Sequence, residues 1–247
     1  MNQDWDQLWT QYAASAEQNP AQALRRWLVV KALDLTPGSR LLDIGSGQGD
    51  LAQDLSTLES ELEIVGLDIS ASGIAESARK VPGGRFFQVD LMKPIELREK
   101  LDGWATHAVC TELLEHVPEP ERVLVNTRPL MALGSRLVVT VPSGPMSAFD
   151  KHIGHLHHYR ADELRRLLEG AGYQVEAIWR AGFPFFNLYR LTVILRGKRL
   201  IQDATSDKPL PWSARFAMKV FGFLFRFNAI RLGPGWQLVA LARLPRE

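Results

Sequence analysis

The sequence predicts an α/β fold, a seven-stranded and mostly parallel sheet with helices on both faces. Short apolar runs alternate along the chain with segments of helical periodicity, which is typical of strand–helix–strand units. Most of these runs are apolar throughout instead of at every second position, as expected for strands covered on both faces. The 247 residues are 46% hydrophobic and 23% charged, a globular composition that fits one domain with an elaboration.

Seven strands and the helices between them can be placed from this alternation. The predicted strands are apolar runs that end at polar or turn-forming residues, and they cover residues 40–45, 63–70, 84–91, part of 106–116, 135–142, 174–182 and 236–244. The predicted helices have apolar residues three or four positions apart, and they cover 49–58, 72–81, 119–131 and 161–173. A further helix, ending before Pro37, precedes the first strand.

The chain divides into three parts on this basis. Residues 1–36 precede the first strand, and residues 37–182 with 234–247 form the core. Residues 183–233 separate the last two strands and are too many for a plain loop, so this insertion is expected to form helices. The insertion is rich in phenylalanine: Phe183, Phe185, Phe186, Phe216, Phe221, Phe223, Phe225 and Phe227.

Several classes of protein are disfavoured. A formal net charge of +1 gives no electrostatic case for a nucleic-acid partner. The single cysteine, Cys110, excludes an internal disulfide framework. The sequence has no run of about 18 uncharged apolar residues that would span a bilayer, and its first residues lack a secretory-signal pattern. A cytoplasmic location is therefore expected.

A glycine-rich loop in the segment LLDIGSGQGDLA (41–52) joins the first strand to the helix after it. Gly45, Gly47 and Gly49 permit a tight turn and the close approach of a ligand, and the helix that follows offers unpaired N–H groups. In open parallel sheets, ligands bind at the carboxyl ends of the strands, where this loop is expected to lie.

The acids around the loop indicate which kind of ligand it holds. The pyrophosphate fingerprint reads G-x-G-x-x-G, whereas this chain reads G-x-G-x-G and has Asp50 where the third glycine belongs. Asp43 adds negative charge where two phosphates would lie. Both acids disfavour a dinucleotide and favour a ligand with a cationic group.

Two further acids follow the next two strands. Asp68 lies about 20 residues past the glycines, where an acid can accept both hydroxyls of a ribose; a helix N-cap is the alternative. Asp90 can accept the exocyclic amine of an adenine, with Leu91 beside the ring; a turn-forming Asp before Pro94 is the alternative.

The segments LLDIGSGQGDLA, VGLDIS, VDL and ELLEHVPEPERVL resemble, in order and spacing, the motifs of class I S-adenosylmethionine-dependent methyltransferases, from about Leu41 to Tyr173. The resemblance implies a Rossmann-like sheet with an antiparallel last strand, and S-adenosylmethionine as the donor, whose sulfonium is the cationic group. The donor would then be held by residues at the ends of the first four strands and in the loops after them: Asp43, Gly45, Ser46, Gly47, Gly49, Asp68, Ile69, Asp90, Leu91 and Thr111.

Residues 1–36, with Trp5, Trp9 and Tyr12, resemble the helical lid that covers the donor in related enzymes; plain packing of an amphipathic helix is the alternative. The acceptor side is predicted from the loop FDKHIGHLHHYRADEL (149–164). An oxygen or nitrogen acceptor loses a proton on methylation, and a histidine suits that step.

His155 is the predicted base and His152 the second choice, with surface loop residues as the alternative. Gly154, His155 and Tyr159 resemble a Gly-His-x-x-x-Tyr pattern of small-molecule methyltransferases. The acceptor is predicted to contact four further side chains: Tyr12, Glu112, His116 and Tyr159.

The segment ELLEH carries Glu112, Glu115 and His116, which would share one face of an α-helix and suit a divalent cation. Some methyltransferases resembling this one, among them quinone-pathway and RNA-end enzymes, use such a set with a downstream histidine, here His155. The same segment is common in metal-free relatives, and no metal is predicted.

The resulting prediction is a methyltransferase that uses S-adenosylmethionine to O-methylate a hydrophobic small molecule, such as a natural-product, quinone or lipid-like intermediate. The aromatic insertion would roof the acceptor pocket; a homodimer face, a peripheral membrane contact and plain core packing are the alternatives. Two other functions remain open, a nicotinamide-dependent oxidoreductase and a non-catalytic module that binds an adenosyl ligand.

Overall fold

The computed structural model describes residues 5–6, 19–204, 211–231 and 233–246. Within this part of the chain, seven strands form one sheet: β1 (Arg40–Ile44), β2 (Glu63–Asp68), β3 (Arg85–Gln88), β4 (Ala105–Thr111), β5 (Met131–Pro142), β6 (Gln174–Ala181) and β7 (Gln237–Arg243). Their order across the sheet is β3-β2-β1-β4-β5-β7-β6. Only β7 runs antiparallel to its neighbours, β5 and β6. The predicted seven-stranded, mostly parallel sheet is confirmed, together with the antiparallel last strand.

The α-helices of the described residues are α1 (Pro20–Leu33), α2 (Asp50–Leu58), α3 (Ala71–Lys80), α4 (Arg98–Leu101), α5 (Pro120–Thr127), α6 (Ala148–His152), α7 (Ala161–Gly170), α8 (Phe185–Arg196), α9 (Lys198–Ala204) and α10 (Trp212–Leu224). Short 3-10 turns cover Leu114–His116, Arg128–Leu130 and Phe225–Phe227. None of the described helices is long and apolar enough to cross a lipid bilayer.

Several predicted boundaries are wrong. The second strand ends at Asp68 rather than at Ser70, and the fifth begins at Met131 rather than at Ser135. Two further differences each have a local reason. The third strand ends at Gln88 rather than at Leu91, because the Asp90 carboxylate accepts a hydrogen bond from Met92 N at 3.0 Å and turns the chain. The predicted helix 119–131 ends at Thr127, since Pro129 has no N–H with which to continue it. The chain then enters β5 at Met131.

Two apolar layers cover the two faces of the sheet. On one face Leu42 and Ile44 of β1 belong to a core that includes Leu124 of α5. On the other face Leu41 of β1 shares a core with Leu28 of α1. The alternation of neighbouring β1 residues between two cores confirms that helices cover both faces, which explains why the strands are apolar throughout.

The carboxyl edge of the parallel strands carries the candidate site. The sheet continues from β1 to β2 on one side and to β4 on the other, so the loop after β1 lies at the reversal of strand order where such sheets bind ligands. Helix α1, which forms most of the described part of residues 1–36, packs on β5 and β7. The insertion forms α8, α9 and α10, as expected, and α10 packs on α1 and α8. A lid function for residues 1–36 stays a prediction.

Candidate active site

The glycine loop after β1 packs against α3, and at Gly49 this contact leaves no room for a side chain. Gly45, Gly47 and Gly49 have φ angles of 78°, 54° and 76°, in the left-handed region that favours glycine. A Cβ on Gly49 would lie 2.8 Å from the Cα of Ser77. The Ser77 hydroxyl donates to the Gly47 carbonyl at 3.0 Å. The loop is therefore fixed at the end of the sheet.

Asp68, at the end of β2, binds this loop from the other side. One carboxylate oxygen accepts from Gly47 N at 2.8 Å and the other from Ser70 N at 2.9 Å. Ser70, not Asp68, is the N-cap of α3. The side chain is buried, and burial raises its pKa. A carboxylate keeps further lone pairs beyond two hydrogen bonds, so the ribose contact stays a prediction compatible with this geometry.

Asp43 is a buried acid at the end of β1, beside the glycine loop. The residue is 1% exposed, and neither carboxylate oxygen has a hydrogen-bond partner among the described residues. Burial, and to a lesser degree the nearby charge of Asp68, raises its pKa to about 7. The hydroxyl of Ser46 is likewise buried and unpartnered there. A cationic ligand supplies the charge that a buried carboxylate needs, so these residues fit a sulfonium donor.

The acids at positions 50 and 90 both have basic partners. Asp50, the first residue of α2, lies 2.5 Å from Lys80 Nζ of α3, which compensates its charge. Asp90 makes the turn described above and pairs with Lys93 Nζ at 3.1 Å. The turn-forming alternative for Asp90 is thus realised, while its predicted adenine contact is a separate question that stays a prediction.

The remaining residues predicted to bind S-adenosylmethionine differ in how far their side chains are buried. Ile69 is 47% exposed beside Asp68. Leu91 is buried in the core, and its carbonyl accepts from Asn126 Nδ2 at 2.9 Å. Thr111 ends β4 next to Thr140 of β5. Of these three residues, Ile69 and Thr111 have accessible side chains and Leu91 does not.

Two residues near the N-terminus reach the site. Asp6 accepts hydrogen bonds from the hydroxyls of Ser70 and Ser72, at 2.5 and 2.7 Å, beside the start of α3. The ring of Trp5 meets the ring of His116 edge to face, with centroids 4.9 Å apart. Trp9 and Tyr12, also predicted here, lie outside the described residues. Sequence reasoning missed Asp6, which no motif marks.

Glu112 departs from the helical geometry expected for ELLEH. Its φ is 51°, and the chain after it forms only a 3-10 turn, so the shared helical face of Glu112, Glu115 and His116 does not form. The Glu112 carboxylate instead pairs with Arg25 Nε of α1 at 2.9 Å and accepts from Gln237 Nε2 at 2.7 Å. Glu112 thereby ties α1 and β7 to the end of β4.

The histidine loop meets the end of β4 in a cluster of three imidazole rings. The His155 ring lies 4.6 Å from that of His116 and 5.2 Å from that of His158, measured between centroids. Glu115 lies fully buried beside them, and one ligand atom each of Glu115, His116 and His155 lie within 4.8 Å of one another. Of the four residues considered for a metal, the fold thus assembles all but Glu112.

Hydrogen bonds determine which ring nitrogen of His155 carries the proton. His158 Nδ1 lies 3.1 Å from the Gly144 carbonyl, which only accepts, so this nitrogen is the donor. In neutral His158 the other nitrogen is then an acceptor, and His155 Nδ1 donates to it at 3.0 Å. His155 Nε2 therefore keeps its lone pair.

Burial makes every group of the cluster neutral. It lowers the pKa of His155 to about 2, with a smaller effect from His116, and it lowers the pKa of His116 to about 4. Burial also lowers the pKa of His158. The Glu115 carboxyl has the opposite response, since burial raises its pKa well above the usual range. Each shift disfavours the charged form.

The other predicted acceptor-side residues lie apart from this cluster. His152 is exposed at the end of α6. His157, a histidine of the same loop for which no role is predicted, is also exposed and pairs with Glu163 at 3.2 Å. Tyr159 is buried, and its hydroxyl donates to the Leu114 carbonyl at 3.0 Å. Burial raises the pKa of this phenol above its usual value. Tyr159 therefore fastens the histidine loop to the 3-10 turn.

Asp150 and Arg190 join this loop to the insertion. The guanidinium of Arg190 in α8 donates to both oxygens of Asp150 in α6, at 2.8 and 2.7 Å, and both side chains are buried. Burial alone would raise the pKa of Asp150, but the hydrogen bonds and charge of Arg190 outweigh it and hold this pKa well below the usual range. The sequence carries no local signal for a pair so distant along the chain.

A family model described as a methyltransferase domain matches residues 12–178 of the chain. The chain belongs to this methyltransferase family. The match includes the glycine loop, the acids at the ends of β1 and β2, the acid after β3 and the histidine cluster. The methyltransferase uses S-adenosylmethionine as its donor, which agrees with the buried, unpartnered carboxylate of Asp43.

Similar proteins include methyltransferases of several kinds. The chain is 28% identical over 197 residues to the ubiquinone biosynthesis O-methyltransferase of Xanthomonas euvesicatoria pv. vesicatoria, covering 72% of this chain and 78% of the relative. Its fold resembles that of the [4+2]-cyclase SpnF, with a TM-score of 0.64, 20% identity and coverage of 92% and 82%. It also resembles geranyl diphosphate C-methyltransferase from Streptomyces coelicolor, with a TM-score of 0.56, 14% identity and coverage of 90% and 77%.

Proposed function

We propose that this methyltransferase transfers the methyl group of S-adenosylmethionine to an oxygen of a hydrophobic small molecule, with His155 as the proton acceptor. The observation that carries the proposal is the fixed tautomer of His155, whose Nε2 lone pair is left for the acceptor hydroxyl. The relatives named ubiquinone biosynthesis O-methyltransferase support oxygen as the methylated atom and a quinone-type, apolar acceptor.

The low pKa of His155 determines when the proton moves. A phenol ionises near pH 10, so full proton transfer to a ring with a pKa of about 2 before methylation is unfavourable. As the O–CH₃ bond forms and the C–S bond breaks, the hydroxyl becomes strongly acidic and the sulfonium becomes a neutral thioether. His155 Nε2 then takes the proton, and the ring oriented by His158 needs no rearrangement to do so.

The direct test is a methylation assay on phenols and catechols that carry an alkyl or prenyl tail, with the matching anilines as nitrogen acceptors. We expect S-adenosylhomocysteine and an O-methyl product from the phenols. His155→Gln should lower kcat by about 10²-fold or more while donor affinity changes little. His157→Gln, a matched change at an exposed histidine of the same loop, should have nearly unchanged kcat.

Three results would remove parts of this proposal. Unchanged kcat in His155→Gln would exclude the histidine step. Methylation of the anilines alone would replace oxygen by nitrogen as the acceptor atom. Activity lost with a chelator and restored by magnesium would assign Glu115, His116 and His155 to a divalent cation, and the lone pair of His155 would then hold a metal instead of a proton.

A second candidate function for this chain is that of an enzyme that binds the donor but transfers no methyl group. A structural neighbour named as a cyclase raises this alternative. SpnF is a structural neighbour at 20% identity, which concerns the fold alone. The same assay separates the two functions, because methyl transfer yields one S-adenosylhomocysteine per product. An acceptor that is converted without any S-adenosylhomocysteine would favour the non-transferring function.

A further inference from the structure

Helix α10 and the 3-10 turn after it expose a continuous apolar stripe. Its members recur every three or four residues and so lie on one face: Trp212, Phe216, Val220, Phe223 and Phe227. Their exposed fractions are 75%, 62%, 39%, 57% and 62%. Single exposed apolar residues are ordinary, but a row of large ones marks a surface that contacts something.

The opposite face of the same helix already holds the insertion in place. Phe221 and Phe225 pack against Tyr189 of α8, with ring centroids 5.4 and 5.8 Å away. Phe225 also meets Phe186 at 5.8 Å and is 6% exposed. The stripe is therefore not the surface by which α10 packs on the described core, and its aromatic side chains are available to a partner.

Basic side chains border the stripe. Arg215, Lys219 and Arg226 are exposed and lie along the adjacent side of the helix. The sequence of the whole insertion, residues 183–233, has nine Lys or Arg and two Asp, a formal charge of +7. Since the chain as a whole has +1, the rest of it has −6. The positive charge is thus concentrated on the part of the molecule that carries the stripe.

We propose that this α10 face docks on an anionic lipid membrane. A helix that presents Trp and Phe on one side and Lys or Arg beside them lies in the membrane interface, with the rings in the acyl boundary and the cations among the headgroups. A second copy of the chain is disfavoured as the occupant, because a symmetric contact would bring two strongly positive insertions together. Anionic headgroups complement this charge.

Docking would place the acceptor side of the enzyme near the membrane. Helix α8, which packs under α10, carries Arg190, and Arg190 binds Asp150 of the α6 segment that leads into the histidine loop. A membrane-dissolved acceptor would then meet the histidine loop close to the bilayer, a point that rests on the proposed function. The docking itself does not, since it requires neither donor nor acceptor.

The experiment is vesicle flotation of the full chain, with phosphatidylcholine vesicles compared with mixed phosphatidylcholine and phosphatidylglycerol vesicles. We expect binding to the mixed vesicles that falls with added salt. Phe216→Ser with Phe223→Ser, and separately Arg215→Glu with Lys219→Glu, should each lower the partition coefficient about tenfold or more. The first pair removes rings that bury in the acyl boundary, and the second removes cations that attract anionic headgroups.

The matched control variants carry the same types of substitution at exposed positions away from the α10 stripe. Leu58→Ser with Leu133→Ser alters exposed apolar residues elsewhere, and Arg165→Glu with Arg166→Glu reverses two exposed charges on α7. Both controls should bind vesicles as the wild type does. Circular dichroism and thermal unfolding of every variant exclude a folding defect as the cause of lost binding.

Three outcomes would overturn the proposal. The first is no binding of the wild type to anionic vesicles at low salt. The second is equal loss in the stripe variants and in the controls. The third is a dimer in sedimentation equilibrium that Phe216→Ser with Phe223→Ser converts to a monomer, which assigns the face to a second copy. Because flotation uses no substrate, failure of the methylation assay leaves this result intact.

Discussion

Asp43 lies at the end of β1 with both carboxylate oxygens buried and, among the described residues, without a hydrogen-bond partner. The buried carboxylate that suits a cationic donor therefore lowers the stability of the folded protein when no donor is bound. Its folded-state pKa of about 7 lies above the unfolded value of about 4, so the folded protein holds this proton more tightly. Stability is therefore lost as pH rises from about 4 to about 7, by roughly 4 kcal/mol.

Asp43→Asn should reverse this loss, because the amide stays neutral at every pH. At pH 8 the unfolding free energy of the ligand-free variant should exceed that of the wild type by up to about 4 kcal/mol, and near pH 4 the two should agree. Urea unfolding at both pH values measures this. The control Asp54→Asn, at an exposed position of α2, should change the unfolding free energy little at either pH. Parallel pH profiles of Asp43→Asn and the wild type would refute the raised pKa.

The same variant should bind S-adenosylmethionine more weakly, since the cation loses the carboxylate. In the wild type, donor affinity should rise as pH increases through about 7 and Asp43 ionises, by up to about tenfold between pH 6 and 8. The neutral thioether S-adenosylhomocysteine should show a smaller pH effect. Calorimetry with both ligands gives the comparison, and identical pH dependences for the two would contradict a sulfonium contact.

At the scale of elements, the glycine loop and α3 form one clamp around the donor site. Gly49 has both a left-handed φ and Ser77 against it, whereas Gly38 has a similar φ of 77° and nothing within 4 Å of the position that a Cβ would take. Alanine at either position costs about 1 to 2 kcal/mol of backbone strain. The difference between the two variants therefore isolates the steric contact with α3.

Gly49→Ala should lose about 1 to 3 kcal/mol more unfolding free energy than Gly38→Ala, because the methyl group meets backbone atoms that cannot rotate away. It should also weaken donor binding, which Gly38→Ala should leave unchanged. Chemical unfolding and donor titration of the two variants measure both effects. Equal losses in the two would mean that α3 shifts freely and that no clamp exists.

The buried pair of Arg190 and Asp150 joins the insertion to the histidine loop. Arg190→Met leaves the Asp150 carboxylate buried without its cation, which should lower the unfolding free energy by about 3 to 5 kcal/mol near neutral pH. Adding Asp150→Ala should restore part of this loss. Because the pKa of Asp150 is depressed, the pair stabilises the protein above about pH 4 and less as pH falls further. An additive double variant in urea unfolding would contradict the coupling.

For the whole molecule, the sequence allowed the prediction of what depends on local pattern. The strands and the helices between them followed from the apolar runs, and the place of Asp43 beside the donor loop followed from its position before the glycines. The histidine cluster could be predicted only in part, because His116 and His155 meet through the folding of β4 beside β5. The contact of Glu112 with Arg25 of α1 could not be predicted, since no local motif encodes a pair that tertiary packing brings together.

The N-terminal segment gives the last prediction at this scale. Asp6 meets the start of α3 while Trp5 meets His116, so these two residues connect the donor side to the histidine cluster. Deletion of residues 1–18 retains Asn19, the N-cap of α1. Since Asp6 is exposed and its hydrogen bonds from Ser72 lie at the surface, loss of these contacts should change the unfolding free energy little.

Ligand binding should respond more strongly than stability does. The deletion should raise the KM of both donor and acceptor, because a segment that covers a bound ligand slows its release. Trp5→Ala should raise the acceptor KM alone, and Asp6→Ala the donor KM alone, if each acts through its own contact. Steady-state kinetics with each substrate varied in turn separate these effects. A deletion that unfolds the protein, or that leaves both KM values unchanged, would refute a lid and leave ordinary packing as the role of this segment.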